Sequence, residues 1–394
     1  MRTLQCMLIL IALLALGGCA GLERKPAVPQ DLTTKAQLPG MTDVRYWQNI
    51  DQKLLVEEGK NAYWKEKAYA KAENRQGEMP PAIFLAISGG GDNGAFGAGL
   101  LNGWTESGTR PEFKLVTGVS TGALIAPFAF LGPDYDQKLK DFYTTLSPDD
   151  IMDQRNPLAA LTSDALADDA PLWRLIEKEI NAPLLAAIAK EYEKGRLLMV
   201  ATVDLDSRQS VIWNMTRIAA SSSPDKLKLF QSILIASASI PGAFPPVMID
   251  VEVDGQQHQE MHVDGGTASQ VFIYPPTMHI KEASERYHVE RERKAYIIRN
   301  ARLDPDWAEV DRQTLSIASR AISSLIQTQG VGDLYRIYAI CERDGVDFNL
   351  AYIPKSFSFP HKEEFDTEYM RKLFYTAYNL AKNGYPWQKQ LPGF

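Results

Sequence analysis

Phe113-Lys114-Leu115-Val116-Thr117-Gly118-Val119-Ser120-Thr121-Gly122-Ala123-Leu124-Ile125-Ala126-Pro127-Phe128 is an apolar run, a serine framed by two glycines, and a second apolar run. Residues 113–117 predict a strand and those from 123 onward the start of a helix, which puts Ser120 at the bend. A strand-to-helix bend this tight needs Gly118 and Gly122 beside the serine. A Cβ at either place would collide with neighbouring backbone, and the sharp turn leaves Oγ in the open. Ser120 is therefore the candidate nucleophile of an acyl-transfer site. The plainer reading is a glycine-rich turn in which Ser120 caps the following helix. A G-x-S-x-G match arises by chance in about one chain of this length in eight, so the choice rests on the rest of the sequence.

Upstream, the apolar stretch Ala82-Ile83-Phe84-Leu85-Ala86-Ile87 leads into Ser88-Gly89-Gly90-Gly91-Asp92-Asn93-Gly94 and then a helix-like Ala95-Phe96-Gly97-Ala98-Gly99-Leu100-Leu101. Backbone N–H groups at such a turn are unbonded and point one way, which suits an oxyanion. Gly89, Gly91 and Gly94 also spell the G-x-G-x-x-G of dinucleotide sites. That fingerprint wants an acidic residue about 20 positions further on, at the tip of the second strand. Lys114 stands there, and the second strand ends at 118–120 without a carboxylate. The run serves an oxyanion better than a pyrophosphate, and no cofactor is called for. No His-Glu-x-x-His or paired Cys-x-x-Cys is present, so no metal is expected either.

A serine hydroxyl needs a base. The five histidines, His258, His262, His279, His288 and His361, do not sit in glycine-flanked loops after apolar strands. Asp264 is better placed: it follows Met261-His262-Val263 and precedes Gly265-Gly266, so its carboxylate would stand at a sharp, uncrowded turn. A carboxylate acts as base directly if its site is dry enough to raise its proton affinity. The plainer reading of Asp264 is an Asp-Gly hairpin turn.

In chain order, the glycine run, Gly118-x-Ser120-x-Gly122 and Asp264-Gly265-Gly266, together with Ala236-Ser237-Ala238-Ser239-Ile240-Pro241-Gly242-Ala243-Phe244-Pro245-Pro246, resemble the patatin-like phospholipase family over residues 80–270 or so. The resemblance implies an α/β fold, a patatin-like layered sheet with helices on both faces. It further implies a Ser120–Asp264 dyad without a catalytic histidine, oxyanion-hole N–H groups from Gly89, Gly90 and Gly91, and a lipid or other carboxylic ester as substrate. Gly94, Gly118, Gly122, Gly265 and Gly266 complete the motifs. One departure is Asn93, where the family usually carries Arg or Lys before the closing glycine; its loss weakens the case for phosphate-bearing substrates more than the case for hydrolysis. Two other readings stay open: a Ser-Asp-His triad completed by His279, His288 or His361, and a non-catalytic scaffold that keeps the fold.

The N-terminus reads Met1-Arg2-Thr3, an apolar stretch over 4–16, then Gly17-Gly18-Cys19. This predicts a signal peptide over 1–18; the apolar stretch is shorter than the 17 to 25 or so residues of a spanning helix. Its end resembles a bacterial lipobox, which implies lipidation of Cys19, and Ala20 resembles the residue after the cysteine in lipoproteins of the outer membrane. Residues 19–42, with Pro26, Pro29, Pro39 and Gly40, read as an acylated linker with a reach on the order of 70 Å when extended. Cys6 leaves with the signal and Cys19 carries lipid, so Cys341 has no disulfide partner and reads as a small buried hydrophobe. A net charge of −7 argues against a nucleic-acid partner.

Strands are expected at 83–87, 113–117, 197–203, 210–214, 260–263 and 295–299, alternating with helical stretches as in a layered α/β sheet. Residues 43–79 read as a leading helical segment, 80–275 as the catalytic core, and 276–394 as an extension of the same domain. The stretch 158–196 is a candidate lid or acyl pocket, and the helical spacing over 363–381 predicts a closing helix. Asp204 and Asp206 read as turn-capping carboxylates.

Overall fold

The computed structural model describes residues 22–74, 79–155 and 163–391. The expected signal peptide, Cys19 and residues 158–162 of the helical stretch lie outside the described residues.

The apolar runs build one sheet of nine strands: β1 (Arg45–Trp47), β2 (Ala82–Ile87), β3 (Leu115–Gly118), β4 (Leu197–Asp204), β5 (Gln209–Asn214), β6 (Val247–Val253), β7 (Gln256–Asp264), β8 (Arg293–Arg299) and β9 (Asp347–Tyr352). Its order is β1-β5-β4-β3-β2-β8-β9, with β7 joined to β4 and β6 joined to β7. The strands from β4 through β9 in that order run parallel. They are covered on both faces, which is why they read as nearly continuous apolar runs rather than alternating ones.

The principal helices are α1 (Gln52–Ala72), α2 (Gly94–Glu106), α3 (Thr121–Leu131), α4 (Asp136–Thr144), α5 (Ala170–Glu179), α6 (Ala182–Glu193), α7 (Met215–Ala220), α8 (Lys226–Ala238), α9 (Ile280–Tyr287), α10 (Thr314–Asp344) and α11 (Thr367–Lys382). Leu85 and Ile87 of β2 pack into the core formed with α2, α3, α8 and α11, whereas Phe84 and Ala86 face α10. α1 covers the start of β4 on a third, smaller cluster with Leu197 and Met199. Glycines set the closest helix contact: a Cβ at Gly99 or Gly103 of α2 would lie 2.1 Å from Phe374 O or 2.2 Å from Tyr378 O of α11. The expected closing helix is thus seated directly on α2.

The register along β4 positions the site. β3 pairs parallel with it, Gly118 opposite Val200, and β7 pairs antiparallel with it, Asp264 opposite Thr202. Both strands lie on one edge of β4 and arrive from opposite directions. Their ends stop two residues apart, about 7 Å at the rise of a strand.

Two expectations change. Residues 22–42 are not an extended spacer. Arg24 pairs with Asp206 at 2.6 Å and Lys25 with Asp250 at 3.0 Å, while Gln37 and Glu252 exchange backbone hydrogen bonds of 2.9 Å. The segment covers the open edge of β6, whose N–H and C=O groups would otherwise stand unpaired. The strand expected at 260–263 is the end of a longer hairpin, β6–β7, turned by Asp254 and Gly255 at φ 50° and 75°. Asp204 does cap its turn, accepting the Asp206 and Ser207 N–H groups at 3.3 and 3.2 Å. Cys341 is fully buried and unbridged, and burial pushes its thiol up to about 12.

Candidate active site

Ser120 stands two residues beyond the end of β3, after Val119, and sits at φ 56°, ψ −130°. A non-glycine residue there stores about 1–3 kcal/mol of strain. The surroundings hold it: the Ser120 N–H donates to Ser237 Oγ at 3.0 Å, and Ser237 Oγ donates to Ala201 O of β4 at 2.8 Å. A Cβ at Gly118 would come within 2.5 Å of Gly122 O, and one at Gly122 within 2.3 Å of Ile87 O. Ser120 occupies the N-cap position of α3, yet its side chain makes no capping bond. The hydroxyl is left for another partner, which sets the plain capping reading aside.

Asp264 lies within reach of that hydroxyl. It closes β7, is buried, and accepts the Gly266 N–H at 2.6 Å. Its own N–H donates to Ser239 O at 2.9 Å. Burial raises the Asp264 carboxyl to about 7, against hydrogen bonds from the Ser120 hydroxyl and the Gly266 N–H that pull it back down. Asp264 is not the turn of a hairpin; the Asp-Gly turn of this hairpin is Asp254-Gly255. A Cβ at Gly265 would lie 2.4 Å from Ala201 O, so this glycine lets the aspartate loop close onto β4.

The three glycines of the upstream loop have different duties. The Gly89 N–H donates to Gln270 O at 3.0 Å, so it is not an open donor as expected. Gly89 is needed for space, since a Cβ there would lie 3.1 Å from that of Ser120. Gly90 passes so close to Asn300 that a Cβ would meet its carbonyl oxygen at 2.2 Å. Gly91, at φ 57°, borders open space beside Ser120. Among the described residues, neither the Gly90 nor the Gly91 N–H has an acceptor. Gly94 leaves room for the Thr121 and Tyr143 hydroxyls, which are 2.5 Å apart.

Several supporting residues were not singled out in the sequence. Asn300 donates from Nδ2 to Ser88 O at 2.9 Å and accepts the Gly97 N–H at 3.0 Å, tying the glycine loop to β8. Gln270 donates to Gly266 O at 2.8 Å and so joins the two glycine loops. Asp92 Oδ2 receives His361 Nε2 at 2.5 Å and the Phe365 N–H at 3.1 Å. Tyr369 OH donates to Asn93 Oδ1 at 2.7 Å, so the position that would carry a cation is tied to α11. Of these, Asp92 and Asn93 lay within the glycine run already visible in the sequence, as Ser237 did within the segment 236–246.

No histidine is a hydrogen-bond partner of Ser120 or Asp264 among the described residues. His279 pairs with Glu282 at 2.9 Å on the surface and His288 ends α9 in the left-handed region. His361 holds Asp92, which raises its pKa. His262, two residues before Asp264, is wholly buried between Thr202 Oγ1 at 2.9 Å and Glu260 Oε2 at 3.1 Å. A narrow apolar cavity runs from Ser120 between Leu124, Phe142, Leu172, Phe244 and Met370. Leu172 comes from the stretch expected to supply an acyl pocket or lid.

Residues 85–276 match the family described as patatin-like phospholipase. The chain carries a patatin-like phospholipase domain. The matched segment of this domain starts within β2, takes in the glycine loop, Ser120 and Asp264, and has the patatin fold. The structure is similar in part to that of VipD from Legionella pneumophila, with 12% identity, 78% of this chain and 67% of that chain covered, and a TM-score of 0.38. It is also similar to the type III effector protein ExoU (11% identity, 77% and 54% covered, TM-score 0.32) and to human GIVD cytosolic phospholipase A2 (9%, 79% and 52%, TM-score 0.29). The chain spans about half the length of the latter two. No curated protein sequence matches it.

Proposed function

We propose that this chain is a serine acyl hydrolase of lipid esters that works with the pair Ser120 and Asp264. The observation that carries the reading is a strained serine whose hydroxyl meets a buried carboxylate of raised proton affinity. Asp264 takes the Ser120 proton as Oγ attacks the ester carbonyl, and the Gly90 and Gly91 N–H groups hold the tetrahedral oxyanion. Asp264 then returns the proton to the leaving alcohol. Water, deprotonated by the same carboxylate, releases the acid from Ser120. The cavity beside Ser120 receives the acyl chain.

Labelling of the protein with a fluorophosphonate tests the reading. It is expected on the wild type and absent from Ser120→Ala; a folded wild type that takes no label would overturn it. Ala substitutions at His279, His288 and His361 separate the dyad from a triad, which loses about 10⁴ in turnover when a member is removed. Losses below about tenfold are expected, the largest at His361, because it holds Asp92 beside the oxyanion donors.

We also propose that the chain is a bacterial lipoprotein anchored in the outer membrane through Cys19. The sequence pattern at 1–20 supports this, and among the described residues no helix is long and apolar enough to cross a membrane. Mass spectrometry of the mature N-terminus should find an acylated Cys19, and Cys19→Ser should release the protein from the membrane fraction. An unmodified N-terminus would sink the anchoring.

A further inference from the structure

An apolar cavity lies at the other end of the sheet from Ser120. It has a volume of about 230 Å³ and is bounded by Ala82, Leu115, Leu197 and Arg293, the first residues of four parallel-running strands. Ser120 and Gly91, by contrast, follow strand ends, so the two cavities are at opposite edges of the sheet. α1 contributes Leu55 and Tyr63 to its walls, and the α9 region Met278 and Ile280. The cavity exceeds the engineered one of about 150 Å³ that binds benzene.

Its rim is cationic. Lys60, Lys114, Arg291 and Arg293 line it; Lys60 is held by Glu57 at 2.6 Å, and Glu66, the one lining carboxylate among the described residues, is taken by Arg291 at 2.9 Å and Lys114 at 2.8 Å. Two positive charges are left in excess. Among the described residues, Arg293 has no carboxylate in ion-pair contact; it donates to Arg291 O and to Ser284 Oγ. The nearby Asp344 is held by Arg343 at 2.8 Å. Independently of that charge balance, Arg291 Nε is buried with no hydrogen-bond partner. A buried guanidinium N–H left unsatisfied is costly unless a ligand completes it.

An apolar slot with unbalanced guanidinium groups at its edge suits a single-chain amphiphile with one anionic head. We propose that this cavity is a second lipid site, which takes the alkyl chain of a free fatty acid and places its carboxylate on Arg291 and Arg293. That such an acid is also the product released at Ser120 rests on the proposed hydrolase activity; the site itself does not.

Isothermal titration of the full-length Ser120→Ala protein with dodecanoate and with 1-dodecanol tests this. Dodecanoate should bind at one site, and Arg293→Gln should weaken it about tenfold, about 1.4 kcal/mol, while leaving dodecanol unchanged. Gly59→Phe should abolish binding of both. A Cβ at Gly59 would sit 3.2 Å from Met278 Cε, the flexible tip of a lining residue, so the ring enters the cavity while α1 loses a glycine from its interior. No binding to the parent protein, or equal affinity in all three proteins, would overturn the proposal. If Gly59→Phe does not fold, the contrast between acid and alcohol in Arg293→Gln still decides. Fluorophosphonate labelling of wild type reports separately on Ser120.

Discussion

Asp264→Asn should lower kcat/KM by about four orders of magnitude and remove fluorophosphonate labelling, while making the protein more stable at pH 8. The amide can keep the Gly266 N–H bond through its oxygen and can donate to Ser120 Oγ, so the fold has no reason to change. It cannot take the proton, and loss of a base is worth losses of this size. The stability gain follows from the carboxyl standing near 7, well above the range of about 4 it has when unfolded. Between those values the folded state binds more protons than the unfolded one. This group's contribution is therefore fully present below about pH 4, is lost as pH rises through 7, and stays lost above. Asparagine has no such loss, and its advantage should reach on the order of a few kcal/mol at pH 8 and vanish below pH 4. Wild-type turnover should instead rise with pH through a midpoint near 7. Because an imidazole titrates in the same region, the profile alone cannot separate the two bases; the histidine substitutions do. A variant with unchanged kcat/KM, or one no more stable than wild type at pH 8, would contradict this account of Asp264.

Gly122→Ala is expected to destabilise the protein by about 3 kcal/mol or more and to remove activity with it. The added methyl would lie 2.3 Å from Ile87 O and 2.7 Å from Ser88 O. Both are backbone atoms, one ending β2 and the other opening the glycine loop. Neither can move without shifting the oxyanion donors or breaking the bond of the Val119 N–H to Ile87 O, 3.3 Å long. Gly108→Ala provides the comparison. Gly108 leaves the helical region, at φ 71°, but nothing lies within 4 Å of its Cβ position; its cost should stay near 1 kcal/mol. Urea midpoints of the two variants measure the difference, and equal midpoints would mean that the approach of α3 to β2 is looser than described.

The residues legible in the sequence were those whose backbone constraint is local. Gly118 announces the bend because the collision it avoids is with Gly122 O, four residues on, and Asp264 stands out by the glycines after it; Gly122 was legible by its spacing from Ser120, although the atoms it clears belong to β2 and the glycine loop. Duties fixed across the fold could not be read. The Gly89 N–H is spent on Gln270, and Ser237 supports Ser120 from α8, partners that only the sheet order brings close. β9 and α10 were likewise passed over. Much of the first half of α10 is exposed, with Ile322 and Leu325 at 56% and 70%, so no single buried stripe marks it. The proline-containing segment after residue 22 looked like a spacer because its composition is that of a loop; what holds it is pairing to a distant hairpin edge.

Ser120 and Asp264 meet because β3 and β7 finish on the same edge of β4, with Ser237 and Ser239 at the end of α8 holding the N–H of each, and not because of the other connections between β3 and β7. Phe142, Leu172 and Phe244, which shape the cavity beside Ser120, all belong to those intervening connections. The protein thereby separates its inheritance into two parts. The edge of β4 fixes the reacting pair and tolerates no slip of register, whereas α4 and α5 are modules that can be lengthened, exchanged or reshaped. A lineage built on this arrangement can change which esters it accepts without having to rebuild the chemistry.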